Sequence, residues 1–413
     1  MANLPEFCPQ PASGLDETGL PRGLLFELVL KQVFLEGTTT LTRLMGTAKL
    51  DYTTIEAIFR SMQREQLLNV KGVEGYDYEF SLTAKGLQSA EAAYRKSQYA
   101  GPAPVPLADY CRAVREQAFH PQLTRTLLLE SLFDLVVAEQ NILDLGAAIM
   151  TGGALFLYGP TGNGKTSIVE RLHRIFHDLA YIPYAVEVSG QILSLYDPNV
   201  HSVIQPQPQG IDPRWVLCQR PFLSMGGEMT AAMLEPQLDA GTHIGVAPVQ
   251  MKANNGILVI DDFGRQKMPA QELLNRWIVP LDRRVDYLSM GPASKFEIPF
   301  ELMIVFASNL DPNQLAEEAF MRRIKNKIKI DPVNPDIFIR IWQRECETRG
   351  LAFQADLAAY ACRRCSEHTG GDLRACFPRD LMDISNGIAA FERRPHALSE
   401  EDVERAFHIY FTR

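Results

Sequence analysis

The octapeptide Gly159-Pro160-Thr161-Gly162-Asn163-Gly164-Lys165-Thr166 constrains this chain more than any other feature. It satisfies G-x-x-x-x-G-K-[ST] and stands between the apolar run Ala154 to Tyr158 and an amphipathic stretch that continues toward His177. Strand, glycine-rich loop and helix thus follow one another as the motif requires. Glycines let successive backbone N–H groups turn inward around an anion, and the helix N-terminus adds the positive end of its dipole. Lys165 reaches terminal phosphates, Thr166 offers a hydroxyl to magnesium, and Ser167 completes the expected phosphate-binding set from Gly159 onward. A merely structural glycine turn is the rival reading, and the flanking strand and helix weigh against it.

About a hundred residues downstream, Ile257-Leu258-Val259-Ile260 reads as a buried strand that ends in Asp261 and Asp262. A strand ending in two acids resembles a Walker B element, and the resemblance implies that Asp261 holds magnesium through its water shell and that Asp262 positions and polarises an attacking water. The competing role for Asp262 is a cap on the following turn. A third apolar run, Leu302 to Ala307, leads into Ser308-Asn309, and Glu318-Ala319-Phe320-Met321-Arg322-Arg323-Ile324 follows about a dozen residues later. Near the end, Phe377-Pro378-Arg379-Asp380-Leu381 opens a helix.

Taken in that order, these segments resemble Walker A, Walker B, sensor 1, arginine finger and sensor 2 of the AAA+ ATPases, over about 300 of the 413 residues. The resemblance implies an α/β P-loop fold with a parallel sheet and a helical C-terminal lid. It implies ATP and Mg2+ as ligands, Asn309 as sensor 1, Arg322 and Arg323 as a finger acting on the neighbouring subunit, and Arg379 as sensor 2, with Arg374 competing. The family usually carries glutamate where Asp262 stands; aspartate is one methylene shorter, so hydrolysis is expected to be affected more than binding, and a slow-hydrolysing nucleotide switch is an alternative to a working ATPase. Lys252-Ala253-Asn254-Asn255-Gly256 before the Walker B strand, and a hairpin read from Arg284 to Met290, Gly291-Pro292 and Lys295 to Ile298, resemble the branch of MoxR-type ATPases and bacterial enhancer-binding activators. In that branch an insert in the second helix, here residues 189–250 with the loop Gln205 to Gly210, touches substrate. This insert has no aromatic-glycine pore signature and no activator loop motif.

Ahead of this module, residues 1–97 read as helix (Leu24 to Leu35), helix (Thr39 to Met45), helix (Thr54 to Gln66), a hairpin (Leu67 to Val73, Tyr76 to Leu82, turning at Glu74-Gly75) and helix (Thr83 to Lys96). The pattern resembles a winged helix-turn-helix. Residues 98–106, with their proline, glycine and small residues, read as a linker or strap. Residues 107–333 and 334–413 are then the α/β core, whose strands include Ile182 to Val188, and the helical lid.

Charge separates the possible partners. The chain carries a formal −9, and its first hundred residues hold 10 Lys+Arg against 12 Asp+Glu. The would-be recognition helix offers Arg60 and Arg64 against Glu56 and Glu65, a neutral face ill suited to phosphate contacts, so DNA is disfavoured and an unidentified protein client is expected. No run approaches the roughly 18 apolar residues of a membrane span, no signal peptide is read at the N-terminus, and seven cysteines read as reduced thiols, so a cytoplasmic location is expected, while the AAA+ resemblance implies a homo-oligomeric ring, most simply a hexamer. Cys362, Cys365, His368 and Cys376 invite a zinc reading, but a helical spacing that buries both of the first two cysteines is preferred.

Overall fold

The computed structural model describes residues 5–74, 77–119, 123–291, 294–315, 321–395 and 397–411. Its first unit runs α1 (Arg22–Glu36), β1 (Thr38–Thr40), α2 (Leu41–Ala48), α3 (Tyr52–Arg64), β2 (Leu68–Glu74), β3 (Asp77–Leu82) and α4 (Ala84–Lys96). Asp51 starts α3 by accepting the amides of Thr53 and Thr54, and Thr83 starts α4 by accepting that of Gly86. The helices and the hairpin strands fall near where the periodicity places them, except that the second helix, read from Thr39 to Met45, begins at Leu41 and runs to Ala48. The short threonine run Thr38–Thr40 adds a strand that periodicity does not register, pairing with β3 at the sheet edge. The turn residue Gly75 lies outside the described residues, as does Pro292 in the second hairpin.

The strap at 98–106 is held rather than loose. Val105–Pro106 forms β4, which pairs in parallel with Val186 and Glu187, and Ala103 and Val105 are fully buried. Three helices follow: α5 (Leu107–Glu116), α6 (Arg125–Ser131) and α7 (Glu139–Thr151). Next come β5 (Ala154–Tyr158) and α8 (Lys165–Leu172), the strand and helix that flank the glycine loop.

The segment after α8 departs from expectation. Instead of one core strand at Ile182 to Val188, the chain makes β6 (Leu179–Pro183) and β7 (Ala185–Val188), then β8 (Gln191–Ser194) and β9 (Trp215–Gln219). β6 pairs antiparallel with β9, whereas β7 and β8 form a hairpin within a separate sheet, so the chain changes partner beside Pro183, which has no amide to donate. The second core strand is β10 (Phe222–Met225), followed by β11 (Gln237–Leu238), β12 (Gly245–Val246), α9 (Val249–Ala253) and β13 (Ile257–Ile260). The region 189–250 is therefore largely strand and loop, not an interrupted helix.

After β13 come α10 (Ala270–Arg276), α11 (Ile278–Arg283), the antiparallel hairpin β14 (Val285–Ser289) and β15 (Lys295–Pro299), β16 (Met303–Ser308), α12 (Pro312–Leu315) and β17 (Asn326–Lys329). The central sheet runs β10-β13-β16-β5-β17, parallel throughout. It is covered on both faces, which is why its strands read as continuous apolar runs. Leu155, Leu157, Val259 and Val305 pack with Ile149, Ile168 and Leu172 on one side; Phe156, Leu258, Ile260 and Phe306 pack with Leu273, Leu274 and Trp277 on the other. Four helices close the chain, α13 (Pro335–Arg349), α14 (Ala355–Thr369), α15 (Phe377–Phe391) and α16 (Glu400–Tyr410), around Phe338, Trp342, Cys362, Cys365 and Phe407. The fold is an α/β P-loop core with a helical C-terminal part. No helix among the described residues is long and apolar enough to cross a membrane.

Candidate functional site

Parallel strands deliver their C-terminal ends to one edge of the sheet, and the site is built there. The loop after β5 needs glycine for space as well as for torsion. Gly159 has φ 134°, and a Cβ on it would lie 2.3 Å from the Ile330 carbonyl oxygen; Gly162 has φ 81°, and its Cβ would lie 2.7 Å from Cys376 Sγ. Lys165 opens α8 with its side chain almost buried, and its Nζ donates to the carbonyls of Gly159 (2.8 Å) and Pro160 (2.9 Å). Burial lowers the pKa of this ammonium, opposed by the negative charges of Asp261 and Asp262.

From the end of β13, separated from β5 by β16, Asp261 Oδ2 accepts the Thr166 hydroxyl at 3.0 Å, while its Oδ1 accepts the Asp262 amide at 2.9 Å. Asp262 sits at φ 48°, which directs it out of the strand line. Its Oδ1 accepts from Asn309 Nδ2 at 3.2 Å, so the residues at the ends of β13 and β16 meet directly. Ser308, which the motif order does not single out, ties the same two elements by donating to the Phe263 carbonyl at 2.6 Å.

The helical C-terminal part closes the other wall. Cys376 N–H donates to the Gly162 carbonyl (2.9 Å), Ala375 N–H donates to Asn163 Oδ1 (3.3 Å), and Arg374 Nη1 donates to the Thr161 hydroxyl (3.3 Å). Between loop, strand ends and helices lies a cleft of about 840 Å³, lined on its far side by residues 134–138, Ile337 and Ile341. Its size and mixed lining suit a nucleotide. Arg379 lines this cleft with an exposed side chain, 3.7 Å from Asp383, whereas Arg374 is not among its lining residues and meets the loop at the Thr161 hydroxyl.

Asp134 is a part of the site that sequence reasoning missed, because it belongs to no motif and the break between α6 and α7 at 132–138 carries no glycine or proline to mark it. Burial opposes its charge, but hydrogen bonds from Arg174 (2.6 Å) and Arg171 (3.0 Å) outweigh this and hold its carboxyl below the usual range. The cleft wall is thereby fixed to the helix that follows the glycine loop. Thr166 and Asp261 supply oxygen donors only, side by side next to the glycine loop, a donor set that fits a magnesium ion with a water-completed shell. The zinc reading of the cysteines gains nothing: Cys362 and Cys365 are buried in the helical core, and burial pushes the Cys365 thiol up to about 12.

Arg322 and Arg323 are not in this cleft. They line a separate recess of about 440 Å³ with Leu281, Asp282 and Lys325. Residues 316–320, which hold the first part of the finger segment, lie outside the described residues.

A family model described as a domain of unknown function, DUF8689, matches residues 334–409, the four C-terminal helices and less than half of the chain. No curated protein matches the chain. Among solved structures, the Thermotoga maritima RuvB Holliday junction branch migration motor is similar at 13% identity and a TM-score of 0.38, covering 66% of this chain and 67% of that one. A single-substitution variant of that RuvB is similar at 14% identity and a TM-score of 0.39, covering 68% of this chain and 72% of that one. At that level of identity and overlap the likeness assigns no role to any residue here.

Proposed function

We propose that this chain is an AAA+ ATPase that binds and hydrolyses Mg-ATP and works as an oligomeric ring, most simply a hexamer, to remodel a protein partner. The observation that carries the reading is the meeting of three elements at one sheet edge: Thr166 on Asp261, and Asn309 on Asp262, beside the glycine loop. In this reading the loop amides and Lys165 bind phosphates, Lys165 exchanging its two loop carbonyls for phosphate oxygens. Thr166 and Asp261 would hold a magnesium ion, which would supply positive charge against the phosphates. Asp262 accepts a proton from the attacking water, and Asn309 sets the direction of its carboxylate. Arg379 approaches from the lid.

The hairpin β14–β15 ahead of the sensor 1 strand supports the MoxR and enhancer-binding branch. Residues 1–97 are read as a winged-helix adaptor for protein. On α3, Arg60 is paired with Glu56 at 2.6 Å, and at the start of α2 the amides of Leu41 and Thr42 donate to the Asp77 carboxylate. Both features occupy groups that a DNA backbone would need.

With Arg322 and Arg323 outside the cleft of their own chain, one site requires two chains. The test mixes Lys165→Ala, which keeps its finger and binds no ATP, with the double variant Arg322→Ala, Arg323→Ala, which binds ATP and offers no finger. Partial recovery of ATPase activity is expected, since a trans arginine is worth about three orders of magnitude or more in phosphoryl transfer. A mixture that co-assembles and stays as inactive as its parts overturns the reading.

A further inference from the structure

We infer that Gln266 is a positioning residue for hydrolysis: it holds the peptide between Asp261 and Asp262 in the orientation that aims the Asp262 carboxylate out of the strand line, a role that rests on the reading of Asp262 as the acid that takes the water proton. Both neighbours of Asp262 are pinned to the central sheet. Asp261 N–H donates to the Met225 carbonyl at 2.7 Å on one side, and Phe263 N–H donates to the Ala307 carbonyl at 2.7 Å on the other. Phe263 is buried as well, and its carbonyl accepts the Ser308 hydroxyl. Between these anchors Asp262 takes a left-handed backbone, at φ 48°. A residue with a Cβ is crowded there, at a cost comparable to what one good hydrogen bond contributes.

Side chains, not sheet bonds, hold that conformation. The Asp262 N–H is taken by Asp261 Oδ1 at 2.9 Å, and at the other end of the same peptide the Asp261 carbonyl accepts from Gln266 Nε2 at 3.0 Å. Turning the peptide back toward the strand orientation would break both bonds. The Asp261 carboxylate is shared with the Thr166 hydroxyl, whereas the Gln266 carboxamide belongs to the turn alone: its Oε1 accepts the Gly264 N–H at 2.8 Å. With donor and acceptor both engaged, the carboxamide cannot rotate away without losing two partners. The turn is closed by Arg265 N–H on the Asp262 carbonyl at 3.0 Å, and Gly264, at φ 100°, supplies the torsion it needs. Asn309 Nδ2 reaches Asp262 Oδ1 at 3.2 Å and so fixes the tip of the acid; Gln266 fixes its root.

Gln266→Met keeps the length of the side chain and removes both hydrogen bonds. In the whole chain it should lower kcat for ATP about tenfold with KM, and nucleotide affinity by titration calorimetry, unchanged, because a misaimed acid costs rate rather than ground-state binding. A merely loosened fold would lose rate whatever stands at 262, so the same change is made in Asp262→Asn, which has no carboxylate to aim. There Gln266→Met should lower the residual turnover by less than about twofold, the non-additivity expected when one residue acts through the other. A further tenfold loss in that background, an unchanged kcat in the parent, or an effect confined to KM overturns the inference. Gln266→Ala carries the same comparison should the methionine variant fail to fold. If Asp262→Asn by itself turns over like the parent, the assignment of the acid fails instead, and the role of Gln266 falls with it.

Discussion

The strand module between α8 and β10 and the edge of the central sheet both bury charge, but they satisfy it differently. In the module, Arg214 is paired with Asp212 at 2.8 Å and donates to the carbonyls of Thr18 and Pro104, closing the N-terminal segment and the strap onto the β9 region. Arg220 is paired with Asp178 and donates to the carbonyls of Gln117 and Asn255. His201 Nδ1 accepts the Asp197 amide while its Nε2 faces the Lys252 carbonyl, and burial keeps its pKa low, so the ring is neutral. At the sheet edge, by contrast, Lys165 is satisfied only by carbonyls of its own loop, and Asp261 and Asp262 face a cleft large enough for a ligand. Charge saturated by distant protein partners is architecture; charge held by local partners that a ligand can replace is a site.

That contrast is broken most directly at Lys165. Lys165→Ala should reduce ATP affinity at least about a hundredfold by titration calorimetry, with the thermal midpoint nearly unchanged, since a phosphate loop loses its mobile cation. Unaltered affinity would make this lysine as structural as Arg214. The mirror experiment is Arg214→Ala, which strands Asp212 as an unpaired buried charge and should cost about 3–5 kcal/mol in chemical denaturation. ATP affinity per folded molecule should be retained, and a parallel loss of affinity would show that the module belongs to the site.

Asp262→Asn sharpens the comparison within the cleft. Binding should match the parent while turnover falls about a hundredfold, because the carboxylate acts on the water in the reaction. Turnover within about twofold of the parent would return Asp262 to a capping role. The smallest effect concerns the C-terminal helices. Hydrogen bonds from Arg364 and Tyr360 hold Glu404 down to about 2. A carboxyl depressed in the folded state stabilises above its unfolded pKa, about 4.3, and loses that contribution as pH falls toward 2. The difference in Tm between the parent and Arg364→Ala should shrink between about pH 4 and pH 2, and it should correspond to less than about 1 kcal/mol for so exposed a pair. A constant difference would mean that the pair contributes packing only.

The glycine loop, the two acids after β13 and the polar residue after β16 are legible in the sequence, and so is an α/β core with helices behind it. Each is a short stretch of consecutive residues whose chemistry is dictated locally, by torsion at glycine and by the apolar run before it. The second core strand is not legible there. Phe222–Met225 is only four residues long, whereas Ile182 to Val188 is a longer and more β-prone run. Propensity reports that a segment is extended and not which sheet it joins.

What the sequence by itself determined is therefore the local kit: a phosphate loop, its flanking strand and helix, the acids and the asparagine that follow, and a near-neutral N-terminal unit. Only the tertiary structure decided that 98–106 is a buried strap, that β10 borders β13, that Asp134 anchors the cleft wall, and that Asp282 meets Arg323. Asp282 and Arg323 lie 41 positions apart. Such pairings depend on how sheets and helices pack, and no periodicity or spacing in the chain records a contact whose two halves are held together only by the core between them.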